Sequence, residues 1–179
     1  MDLKMMGIQS IAVVAYICMI FMFQAKDKTQ MLVWQFAMCL MFFVHYILLG
    51  PAAYVGAFIN LAAMLRAFVF ANRDSWAKSK IWLLAFVLIF SITAIGTWQG
   101  HQDFFTVIGI IASTFALWIK DINKSRELFI VSSFAWLTFN VLVGSYAGMV
   151  GEVCGLVSNM IAMRKYGRKV LTKDKNSVI

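Results

Sequence analysis

Charge is the scarcest commodity in this 179-residue chain: Asp, Glu, Lys and Arg together make up 13%, about half the share of a soluble domain. With 62% of the residues hydrophobic, a water-facing fold would lack the polar surface to cover itself. Proline occurs once, at Pro51, and glycine eleven times, which leaves no material for a proline-rich linker or a long disordered tail. Cys18, Cys39 and Cys154 fall inside apolar runs without CxxC spacing, so they read as small hydrophobes rather than a disulfide framework. HExxH, a histidine-rich ligand cluster and a glycine-rich phosphate loop are all missing. His101 and Asp103 share one short stretch, but two residues make at best a weak metal site. No serine has a base at a recognisable spacing, so a membrane-embedded hydrolase would lack its nucleophile. The expectation is a protein that is not an enzyme and carries no cofactor.

What fills the chain is long apolar stretches, the composition of a protein whose solvent is the bilayer. They cover residues 8–24, 31–49, 52–70, 81–98, 104–119, 128–144 and 147–164. At about 1.5 Å of rise per residue each crosses most of a ~30 Å hydrocarbon core. The shorter ones need a thinned bilayer or anchored ends. Between the second and third segments only Gly50 and Pro51 interrupt the run, a pair suited to a sharp reversal with proline in the first turn of the next helix. Gly144, Ser145 and Tyr146 serve the same purpose between the sixth and seventh. The other reading, a single helix over 31–70, would be about 60 Å long, twice the core thickness. The first segment has neither a strongly basic leader nor a small-x-small cleavage site, so it is expected to remain in the mature protein.

The formal net charge of +8 would suggest nucleic acid on a soluble chain. Here the cations sit between apolar stretches, which points to basic inner loops and away from a nucleic-acid partner. An outside N-terminus puts Lys26 and Lys28; Arg66, Arg73, Lys78 and Lys80; Lys120, Lys124 and Arg126; and the run from Arg164 to Lys175 on the cytoplasmic side. Fifteen of sixteen cations are then inside, with only Lys4 outside. The same count requires an odd number of spans. Trp98 and Trp118 fall at span ends, as interfacial belts require. Trp34 and Trp136 lie inside their spans, where they pack between helices or line a cavity.

Seven spans divide as 3+1+3, and the two triples can be compared. At an offset of 98, Phe36 and Ala37 meet Phe134 and Ala135, Gly50 meets Gly148, Val55 meets Val153 and Arg66 meets Arg164. An odd-numbered unit needs a linking span to repeat in the same orientation, so the predicted repeat is parallel. The expected fold is all-α: one integral membrane domain over residues 1–179, with a first triple-helix unit at 8–70, a linker helix at 81–98, a second unit at 104–164 and a basic cytoplasmic tail at 165–179.

Polar side chains inside spans need partners. Glu152 is the sole acid well inside a span, about 8 Å below the outer hairpin by helix rise. It either binds a cation, a proton or a solute hydroxyl, or is a helix-start carboxylate held by backbone donors and water. Asn60 and Asn159 lie six and five residues before Arg66 and Arg164. They either face each other across a pseudo-twofold axis or make separate packing hydrogen bonds. Because the offset pairs Asn60 with Ser158, facing amides would require a local shift of about 100° in the second half. His45, Asn140 and Glu152 should share a depth and line an outer vestibule, unless the histidine is simply bonded to a neighbouring helix.

In length, hydrophobic profile and the Gly50–Arg66 region the chain is similar to the YgjV-type bacterial inner membrane proteins, a family that implies a small, basic, multi-pass protein of the cell inner membrane. The 3+1+3 layout also resembles the sugar-transporting SWEET proteins and the wider PQ-loop group. That resemblance implies a central solute cavity bordered by Asn60 and Asn159, with Trp136 packing the solute. The Pro-Gln dipeptide of that group is absent, and Pro51 is the only proline available for a helix kink. Two functions remain. One is a carrier moving a small polar solute between the units, past Asn60, Asn159, Trp136, Glu152, Asn140 and His45. The other is a non-transporting structural or interaction protein whose basic inner loops hold anionic lipid. Either could form a homo-oligomer.

Overall fold

The computed structural model describes residues 3–50, 54–142, 144 and 146–176, without the side chains at 4, 55, 147 and 167–176. Seven helices follow one another: α1 (Leu3–Gln24), α2 (Lys28–Leu49), α3 (Tyr54–Ala71), α4 (Ile81–Gly96), α5 (Asp103–Trp118), α6 (Ile122–Leu142) and α7 (Tyr146–Asn176). The Pro51 turn and Ser145 lie outside the described residues, as does the end of the tail beyond Asn176. Several helices outrun their apolar segments. α6 starts at Ile122 rather than 128, because Asp121 accepts from the amides of Asn123 and Lys124 at 2.8 and 3.2 Å and so caps a polar first turn. Asp27 caps α2 in the same way, accepting from Gln30 N at 2.9 Å. α7 continues past Arg164 to Asn176, so most of the expected tail is helix. Gly50 (φ 98°) and Gly144 (φ 70°) end α2 and α6 in the left-handed region that favours glycine.

These boundaries recur at 94 residues, not at the 98 suggested by residue identities. Gln24 and Trp118 end α1 and α5, Asp27 and Asp121 cap α2 and α6, and Gly50 and Gly144 follow them. The difference is close to one helical turn, so an alignment slipped by four keeps the same helix face.

Within each three-helix run the middle helix packs on both neighbours: α2 on α1 and α3, α6 on α5 and α7. The runs meet through α1 with α7 and α3 with α5, and α4 lies against α5 with a lighter contact to α3. One end of the bundle collects the cations. There, Arg126 of α6 donates to Phe23 O (3.3 and 3.2 Å) and Ala25 O (2.5 Å) at the end of α1. Lys28 of α2 donates to Ala116 O in the last turn of α5 at 2.7 Å. Arg73 donates to Trp118 O and Tyr166 to Gln24 O. Cations and hydroxyls thus satisfy the carbonyls that a helix C-terminus leaves open, where the dipole is negative. Residues 72–80, including Trp76, form a connection of turns without a helix.

The bundle has a hydrophobic core, but polar side chains are enclosed within it and its exterior is apolar. Arg126, Asn159, Thr114 and Ser125 are fully enclosed, whereas Ile81, Leu84, Leu88, Ile92 and Ile95 make an exposed stripe along α4, with Ile95 72% exposed. An apolar stripe of that kind needs hydrocarbon against it. α1 and α2 are each long and apolar enough to cross a membrane, and α3, α4 and α5 are shorter apolar helices. Cys18 and Cys39 are buried and Cys154 is exposed; all three are free thiols.

On the surface Lys120 pairs with Asp74 at 2.5 Å. This hydrogen bond holds the Asp74 carboxyl below its ordinary range. A depressed folded-state pKa gives stability that is complete above the ordinary carboxylate range and lost as pH falls through the depressed value. Asp74→Asn should therefore remove a small, salt-sensitive part of the acid limb of melting temperature against pH and leave the neutral plateau nearly unchanged.

Candidate functional site

A cavity of about 690 Å³ runs inside the bundle. α2 contributes Gln35, Met38, Cys39, Phe42, His45 and Tyr46 to its wall, a single helical stripe. α6 contributes Phe129, Ser132, Ser133, Trp136, Phe139 and Asn140. Every α6 residue stands 94 positions after an α2 residue, the interval at which the helix ends recur. Met31 and Ser125, also 94 apart, touch each other below the cavity at 3.5 Å between Sδ and Oγ. The two α5 residues of the wall, Ile110 and Ser113, likewise stand 94 after Tyr16 and Met19 of α1, whereas the third helices do not correspond: α3 brings Asn60 and Arg66, α7 brings Gly148 and Glu152, and α4 adds Phe90.

Of the six residues singled out from sequence, Asn60, Trp136, Glu152, Asn140 and His45 line this cavity. His45 is anchored, its Nδ1 bonding Ile8 O at 2.9 Å; the carbonyl partner makes that nitrogen the donor. Asn60 and Asn140 turn their amide donors onto their own helices, to Gly56 O and Trp136 O, each at 2.9 Å. Among the described residues Asn60 makes no hydrogen bond to another helix. Glu152 has Ser133 and Tyr16 as neighbours.

Asn159 is the exception. It is fully buried away from the cavity, and its Nδ2 donates to Arg126 O at 2.8 Å, tying α7 to α6. It does not face Asn60. At the 94-residue interval between the helix ends, Asn60 falls on Cys154 rather than on Asn159. Asp103 near His101 accepts from Gln99 N and Gly100 N at 2.6 and 2.9 Å, which folds the α4–α5 connection.

Among the wall residues that sequence reading did not single out, two matter most for its chemistry. Tyr16 of α1 stands edge-on to Phe42 at 5.3 Å between ring centres. Arg66 was counted as a loop cation, yet it is 4% exposed, with Nη1 donating to Thr114 Oγ1 at 2.6 Å and its guanidinium over the Phe90 ring at 5.0 Å. Its place five residues before the end of an apolar helix was the available signal.

An all-α bundle with polar groups inside and an apolar exterior is a polytopic membrane protein. The chain belongs to the Imp-YgjV family, described as bacterial inner membrane protein, whose family model matches residues 6–170. Its location is the bacterial inner membrane. No curated protein and no solved structure matches it, and the likeness to SWEET and PQ-loop proteins finds no support in these comparisons.

Proposed function

We propose that this protein is a carrier for a small polar solute, built as two parallel three-helix units around α4, with an outside N-terminus and the cationic end in the cytoplasm. The observation that carries the reading is the symmetric wall of the cavity: six positions of α2 and their six counterparts on α6. A cavity on the axis between two like units is where parallel-repeat transporters hold their solute. The caps at the cationic end support the same symmetry, because the second helix of each unit reaches the end of the first helix of the other: Lys28 to α5 and Arg126 to α1. The contacts of α1 with α7 and α3 with α5 are likewise each other's counterparts. In this reading His45, Asn140 and Glu152 lie toward the outer mouth, and Asn60 and Trp136 lie deeper. Exposed Lys26, Lys78, Lys80 and Lys124 meet anionic headgroups at the inner face.

The test has two steps. Purified protein is screened by thermal shift against sugars, nucleosides, vitamins and amino or organic acids, and the stabilising compound is then followed into proteoliposomes. Asn60→Ala and Trp136→Ala should leave protein amount intact and reduce uptake at least about tenfold, the scale of one lost polar or stacking contact. Uptake untouched by both variants would remove the cavity from the route. A cytoplasmic N-terminus in a reporter fusion would overturn the orientation.

A further inference from the structure

We propose that the cavity binds a small monocarboxylate with an apolar or aromatic body, its carboxylate held by Arg66. This names a solute class for the cavity and rests on the reading of that cavity as a binding site.

The argument starts from two enclosed arginines that differ in what neutralises them. Arg126 spends its N–H groups on carbonyls at the end of α1 and on Asn123 Oδ1, so the negative end of a helix dipole faces its charge. Among the described residues Arg66 has no such partner. Its hydrogen bonds there go only to two hydroxyls of mid-helix α5, Thr114 at 2.6 Å and Ser113 at 3.4 Å, both through Nη1, beside the uncharged Phe90 ring. Each of those hydroxyls already donates to Ile110 O, at 2.7 and 2.9 Å, so toward Arg66 they act as acceptors and bring no net charge. Nε is buried with no hydrogen-bond partner. Among the described residues the only ion pair is the surface contact between Lys120 and Asp74. A full positive charge therefore stands in the cavity wall with unused donors, and a guanidinium fork matches a carboxylate.

The rest of the wall narrows the class. One cation balances one negative charge, whereas a doubly charged phosphate ester would leave an excess. Glu152 lies in the first two turns of α7, toward the opposite mouth from Arg66 near the end of α3, and its acid disfavours a second anionic group there. Phe42, Phe90, Phe129 and Trp136 offer rings to an apolar body, and about 690 Å³ accommodates one small molecule.

The probes are 3-phenylpropionate and its neutral isostere 3-phenylpropanamide, titrated into the purified full-length protein in a carboxylate-free buffer by thermal shift and calorimetry. The acid should bind the wild type at least about tenfold more tightly than the amide, the scale of one charge-assisted bidentate contact. Arg66→Gln should bring the acid down to the level of the amide. Because Arg66→Gln also alters the buried contact with Thr114, the acid–amide comparison on the wild type decides by itself. Equal binding of the two compounds, or no acid-selective binding across benzoate, 3-phenylpropionate and indole-3-acetate at millimolar concentration, would overturn the assignment. Acid-selective binding without uptake into vesicles supports it while removing the carrier. Uptake confined to neutral solutes does the reverse.

Discussion

Arg126→Met is expected to lower the stability of the purified protein by about 3–5 kcal/mol, because it strips several hydrogen bonds from acceptors that water does not reach. Arg126 is fully enclosed at the start of α6, and its guanidinium closes the last turn of α1 by bonding Phe23 O and Ala25 O. It also lies over the Tyr166 ring at 5.1 Å, so α1, α6 and α7 meet on one side chain. Methionine fills much of the volume and leaves those carbonyls unpaired. Arg126→Lys should recover only part of the loss, because a single ammonium cannot reproduce the fork. Lys28→Met removes the corresponding cap on α5, yet Ser125 Oγ still donates to Ala116 O at 2.6 Å and Arg73 still reaches Trp118 O. Its expected cost is accordingly smaller, about 1–2 kcal/mol. Unfolding followed by thermal shift in detergent ranks the variants, and an Arg126→Met protein that melts with the wild type would mean that these carbonyls are hydrated.

The cations also show how far the sequence can be read. Counting Lys and Arg finds the end of the bundle where they gather, since that depends only on which connections carry charge. The count does not distinguish Lys78, which is exposed, from Arg126, which is enclosed, or from Arg66, which lines the cavity. Those fates depend on which helix end or hydroxyl lies opposite, and that is set by packing between distant segments. Seven helices were legible because apolar runs and charged joints mark them directly. The start of α6 and the end of α7 were less so, because a polar turn continues a helix without adding hydropathy.

The candidate site was legible in a similar, partial way. Asn60, Trp136, Asn140, His45 and Glu152 stood out as polar or amphipathic residues at depth, and they do line one cavity. Asn159 stood out for the same reason and lies elsewhere, since depth is readable from helix rise but azimuth depends on the register between units. The interval of 98 taken from scattered apolar identities differs by about one turn from the 94 at which helix ends recur. The pair Lys26–Asp27, which repeats as Lys120–Asp121, marks the interval of the helix ends.

Gly151→Ala should cost about 1–3 kcal/mol, the usual range for overpacking, and should also deform the cavity. Gly151 is buried on α7, and a methyl group built there overlaps Tyr16 Cε1 and comes within 2.8 Å of its Cζ. The ring cannot simply swing aside, because Phe42 stands edge-on to it at 5.3 Å. Either α1 and α7 separate or Tyr16 moves into the space beside Glu152. Gly155, one turn further, completes a small-xxx-small pair of the kind that lets membrane helices approach closely. An added methyl there lies 2.9 Å from Met19 Cε, the end of a flexible side chain, so Gly155→Ala should be milder. Tyr16→Ala supplies the control: once the ring is gone, Gly151→Ala should carry almost none of its penalty, which gives a coupling of the order of the whole single-mutant effect. Equal penalties in the presence and absence of the ring would mean that α1 and α7 do not meet through Tyr16 and Gly151.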